Sequence, residues 1–154
     1  MADHSVLHAT FTLERTYPAM PARVFAAWAD PAAKARWFAG ADAEHELDFR
    51  VGGRETVQRG GNVGAPALTF AAVYQDIVPD ERIVYTATLS ADNRPATVSL
   101  TTVQFRAAGD GAQLVLTEQC AFLDGHEQPR WREQGTSAWL NALAAELQAP
   151  ATHT

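Results

Sequence analysis

From Glu44 to Phe122 apolar and polar residues mostly alternate, and from Gln128 to Gln148 the repeat lengthens to about four. A period of two belongs to half-buried strands; a period near 3.6 belongs to a helix with one buried stripe. That single change of period leaves few architectures open. A run of strands forms a sheet with an apolar face, and one long helix can cover only one face of it. If the sheet curls around the helix, the two apolar surfaces enclose a shared interior.

The helical stretch carries Trp131, Gly135, Trp139, Leu143 and Leu147 at four-residue spacing, with Leu140 beside them. These are expected to form its inner face over roughly five to six turns. Asp124, or Gln128 followed by Pro129, is expected to open it, and Pro150 to end it.

Ahead of this lies a strand from His8 to Tyr17, where Ala9, Phe11 and Leu13 alternate with Thr10, Thr12 and Glu14. Pro21 suits a first helical position, and Val24, Phe25 and Trp28 fall at helical spacing. Asp30-Pro31 breaks that helix and begins a second, with Ala33, Trp37 and Phe38 inward. In the strand region His45–Arg50 and Arg54–Arg59 flank a Gly52-Gly53 turn, and residues 60–66 form a loop. Leu68, Phe70, Ala72 and Tyr74 alternate, as do Ile83, Tyr85, Ala87 and Leu89. A strand through Val98, Leu100, Val103 and Phe105 follows the turn at Asp92–Pro95. After Gly109-Asp110-Gly111 the last strand places Leu114, Leu116, Glu118, Cys120 and Phe122 on one face. Residues 1–154 are expected to form one domain, with 1–7 and 149–154 as loose termini.

Composition narrows the function classes. A net charge of −6, with arginines scattered and a single lysine (Lys34), argues against nucleic-acid binding or an anionic membrane surface. One cysteine allows no internal disulfide. No leader pattern or membrane-length apolar run is seen, so a cytoplasmic location and no membrane insertion are expected. There is no nucleophile elbow, phosphate loop or metal-binding helix motif, and the histidines are too isolated to read as a metal site. No metal or cofactor is expected. Cys120 reads as a small buried apolar residue.

Four motifs occur together in order: Val24-Phe25-x-x-Trp28-x-Asp30-Pro31, Trp37-Phe38, Val78-Pro79-x-Glu81-Arg82-Ile83, and Ala138-Trp139-x-x-x-Leu143. With them the chain resembles the START-like (SRPBCC) superfamily. It is most similar to the bacterial branch related to the C-terminal domain of the activator of heat-shock protein 90 ATPase. Ala138 stands where that branch often has Gly. The resemblance implies an α+β helix-grip (Bet v 1-like) fold: a curved antiparallel sheet around a long C-terminal helix, with two short helices after the first strand. It also implies a ligand cavity between sheet and helix, and homodimers among many relatives.

Three functions follow as expectations. The first is binding of a small hydrophobic molecule, whether lipid-like, aromatic or polyketide-like. The second is polyketide cyclase/dehydratase-like catalysis with Glu118 or tyrosines in the acid–base role. The third, ranked last, is a chaperone-activator type of protein interaction. Glu118, between Leu116 and Cys120 on the inner face, is the candidate catalytic residue. Its simpler role is a salt bridge to Arg130 or Arg132. Tyr74 and Tyr85 offer hydroxyls on apolar rings. Trp37, Phe70, Leu116, Trp131 and Trp139 complete the expected ligand wall.

Overall fold

The computed structural model describes residues 4–61 and 66–148. Seven antiparallel strands form one sheet in the order β1-β7-β6-β5-β4-β3-β2. They are β1 (Val6–Tyr17), β2 (Glu44–Leu47), β3 (Arg54–Gly60), β4 (Ala67–Val78), β5 (Arg82–Ala91), β6 (Arg94–Ala108) and β7 (Gly111–Leu123). β1 begins earlier than the alternation suggests, because Val6 already pairs with Leu123. Only the β1–β2 connection crosses the sheet, and it carries α1 (Pro21–Ala29) and α2 (Pro31–Lys34). The helix α3 (Pro129–Gln148) closes the described chain and packs on β1, α1 and the turn after α2. Sequence positions 62–65 and 149–154, part of the expected loop and the expected C-terminal end, lie outside the described residues.

The local stops and starts are those the residues dictate. Pro21 and Pro31 each occupy a first helical turn, and the Asp30 carboxylate accepts the Ala33 N–H at 3.0 Å. α2 runs into a single π-helical turn, Ala35–Ala39, closed by the Gly40 N–H on Ala35 O at 3.0 Å with Gly40 at φ +90°. Of the two openings for α3, the chain takes Gln128-Pro129: Gln128 O accepts the Arg132 N–H at 3.1 Å. Asp124 stays in the preceding turn.

One expected face is corrected, and the face of β6, left open by the sequence, is found. On β6 the inward residues are Thr97, Ser99, Thr101, Val103 and Phe105, all buried, whereas Val98 and Leu100 are 44% and 37% exposed. A bulge shifts the β5–β6 register between Leu89 and Ser90, and apolar character alone does not reveal which parity turns inward there. On α3 the buried residues are Thr136, Leu140 and Leu143, and Trp131 is 53% exposed. Each step of four residues advances the face by about 40°, so a row begun at Trp131 has rotated far round the helix by Leu147.

The core centres on Trp28, whose ring lies 4.9 Å from Trp37, 5.9 Å from Trp139 and 6.3 Å from Phe105. Aromatic edge-to-face contacts of this kind add to the area they bury. Side chains then fasten α3 to the grip. The Tyr17 hydroxyl donates to Leu140 O at 3.0 Å, and Arg15 donates to Ser137 at 2.7 Å. Arg36 holds Glu146 through two bonds of 3.0 and 2.7 Å.

Candidate functional site

α3 does not fill the bend of the sheet. A cavity of about 170 Å³ opens between them, lined by Phe38, Val57, Phe70, Leu89 and Trp139 on its apolar side. Tyr85, Glu118, Glu127, Arg132, Thr136, Arg59 and Gly135 complete the lining. The π-helical turn carries Phe38 to the mouth, where its ring sits 5.3 Å from Phe70 and 5.1 Å from Trp139. Gly135 lies in the lining as well, and a Cβ placed there meets no neighbouring side chain within 4 Å.

At the polar end Glu118 projects inward from β7 and is 2% exposed. Its Oε2 accepts from Arg132 Nε at 2.7 Å and its Oε1 from the Thr136 hydroxyl at 3.1 Å. Arg132 also donates to Glu127 at 3.5 Å and Ser99 at 3.4 Å, and the Thr97 hydroxyl donates to Glu127. Burial together with the nearby Glu118 and Glu55 carboxylates holds the Tyr85 phenol well above its ordinary value, so it remains protonated. Burial first, then Glu118, pushes the Cys120 thiol up to about 12. The inner face expected for β7 is therefore present, and Arg132, not Arg130, is the partner of Glu118.

A second buried polar group lies between α2 and strands β2 to β4. The ammonium of Lys34, 1% exposed, donates to Glu55 at 2.9 Å and to the Tyr74 hydroxyl at 3.4 Å. Tyr74 in turn donates to Glu55 at 2.7 Å, and His45 Nε2 meets the other carboxylate oxygen at 2.8 Å. Trp28, Trp37 and Phe38 surround the ammonium at 5.0, 5.7 and 4.5 Å from their ring centres. Burial alone would raise the Glu55 carboxyl, but Lys34, His45 and Tyr74 bring it down to about 2. This cluster sits behind Phe38, away from the cavity lining, and supports the ring that forms the mouth.

Of the residues singled out in the sequence, the cavity brings together Phe70, Tyr85, Glu118 and Trp139. Tyr74 belongs to the Lys34–Glu55 cluster, Trp37 and Leu116 to the core, and Trp131 to the exposed side of α3. Reading the sequence missed Phe38 as a mouth residue, Val57, Leu89, Thr136 and the whole Lys34–Glu55 pair. Glu55 shares the parity of Val57 on β3, a signal that was present. Among the described residues no group of three or more His, Cys, Asp or Glu is placed to hold a metal ion.

The family described as activator of Hsp90 ATPase homolog 1-like protein matches residues 18–148. The chain belongs to this family. A crystal structure of a Rhizobium loti protein is 49% identical, with a TM-score of 0.87 over 93% of this chain and 99% of that one. An uncharacterised Rhizobium leguminosarum protein is 39% identical, with a TM-score of 0.91 over 96% and 99%. Ara h 8.0201, 14% identical with a TM-score of 0.70 over 94% and 100%, shares the fold alone. No curated protein matches. The family's helix-grip, Bet v 1-like fold commonly binds hydrophobic ligands, and no described helix is long and apolar enough to cross a membrane.

Proposed function

We propose that this member of the family binds a small hydrophobic molecule in the cavity between α3 and the sheet. The observation that carries the reading is the open space of about 170 Å³ walled by Phe38, Val57, Phe70, Leu89 and Trp139. An engineered apolar cavity of about 150 Å³ takes up benzene, while drug-sized sites span about 300–1,000 Å³. The volume therefore favours a single aromatic ring over a lipid chain or a multi-ring polyketide. Gly135 adds support: a glycine in mid-helix costs about 1 kcal/mol relative to Ala, and this one lies in the cavity lining.

Glu118 acts as an acceptor that orients the ligand. Its bonds to Arg132 and Thr136 hold it in place and make it a poor candidate for shuttling protons. Native mass spectrometry of the freshly purified chain, with extraction of whatever it retains, tests the reading. A retained single-ring compound, or saturable uptake of added toluene, is the expected result. A chain that carries nothing and takes up no toluene refutes it.

A further inference from the structure

The polar end of the cavity carries one more negative charge than positive. Two carboxylates, Glu118 and Glu127, share the single guanidinium of Arg132. That guanidinium bonds Glu118 through Nε, Glu127 through Nη1 and Ser99 through Nη2, which takes three of its five N–H groups. An ionised carboxylate offers about four lone-pair sites. Glu118 uses two of them on Arg132 and Thr136 and, with a further contact from the neighbouring Cys120 thiol, still keeps acceptor capacity beside the cavity it lines.

We propose that the cavity selects a neutral, single-ring aromatic bearing a hydroxyl, which donates its hydrogen to Glu118, and that it rejects the matching carboxylate. This rests on the small-molecule reading above and adds the chemistry of the ligand's polar end. The ring packs against Phe38, Phe70 and Trp139, and the hydroxyl donates to the acceptor site Glu118 has left. A ligand carboxylate would bring a third negative charge beside two that already share one guanidinium. An ammonium would satisfy the acceptors but must shed its hydration to enter an apolar recess.

Arg59 is the competing cation in the lining. Its side chain is exposed at the end of β3, where water and salt screen it, and a pair formed there is worth less than about tenfold in affinity.

The test is an NMR titration of the full chain at pH 7 with three probes of the same size: p-cresol, toluene and p-toluate. The expected result is p-cresol at least about tenfold tighter than toluene, the low end for a hydrogen bond to a charged group. p-Toluate should be weaker than toluene. Glu118→Gln, once near-UV circular dichroism shows native packing, should narrow the p-cresol advantage over toluene to about threefold. The comparison of probes on the unaltered chain decides the matter even if that variant does not fold. Equal affinity for p-cresol and toluene, or tightest binding of p-toluate, overturns the hydroxyl assignment and leaves the small-molecule reading standing. Saturation by none of the three overturns both.

Discussion

Replacing Lys34 with Met keeps most of the aliphatic stem and deletes the ammonium. The partner carboxylate of Glu55 is 2% exposed, so it is left in a dry site with only His45 and Tyr74 to satisfy it. Removing one member of a buried pair costs about 3–5 kcal/mol, because the surviving charge is uncompensated. Three rings lose their cation as well, at 4.5, 5.0 and 5.7 Å. A net loss of about 4 kcal/mol is expected. For a chain of this size each kcal/mol moves the unfolding midpoint by about 2–4 °C, so Tm should fall by about 8–16 °C. Urea unfolding followed by near-UV circular dichroism measures the loss, with an unchanged slope showing that only stability moved. The double replacement Lys34→Met with Glu55→Gln removes the stranded charge while leaving an acceptor for Tyr74. It should recover at least half of the loss. A single-variant cost below about 1 kcal/mol, or a double variant whose costs simply add, would refute the reasoning.

Three further outcomes follow. Glu55 is held at about 2 against an ordinary 4.5, so its ionised form contributes stability that is fully present above pH 4.5 and is lost as pH falls through about 2. The contribution is on the order of 3 kcal/mol, and Glu55→Gln should flatten the stability profile across that window in acid-titrated urea unfolding. The Cys120 thiol, buried and pushed up to about 12, should react with a disulfide reagent at pH 8 only at the rate of unfolding, and immediate labelling of the native chain would contradict this. Tyr17→Phe loses the hydroxyl bond to Leu140 O and should cost about 1 kcal/mol in the same unfolding assay, with no change in ligand affinity.

The grip was legible because it rests on period and punctuation. Pro21, Asp30-Pro31 and Pro129 open helices where their missing N–H groups cost nothing, and the alternation around Glu118 fixes which side of β7 faces inward. The site was only partly legible. Trp131 misled because a four-residue row drifts round a helix, so the tryptophan that opens it lies outside while Thr136 lies inside. β6 showed no readable face because its inward positions include Thr97 and Ser99, whose polarity serves the Glu118–Arg132 group rather than an apolar core. Lys34 carries no local mark of burial: α2 is four residues long, too short for a period. Its ion pair is made by Glu55, 21 positions away. Such partners are set by tertiary placement, which spacing along the chain does not encode.

Ligand binding depends on room left between α3 and the sheet, and Gly135 gives direct control over it. Gly135→Leu extends a side chain from a position with no heavy atom within 4 Å of its Cβ, at the mouth of the cavity. It should also stabilise the helix by up to about 1 kcal/mol, so any lost binding cannot be blamed on unfolding. The decisive measurement is a toluene titration of the unaltered and Gly135→Leu chains, followed by the indole signal of Trp139. Saturable shifts in the first and none in the second, with equal or greater thermal stability, are predicted. Equal binding by both chains, or by neither, would contradict a ligand held beneath the helix.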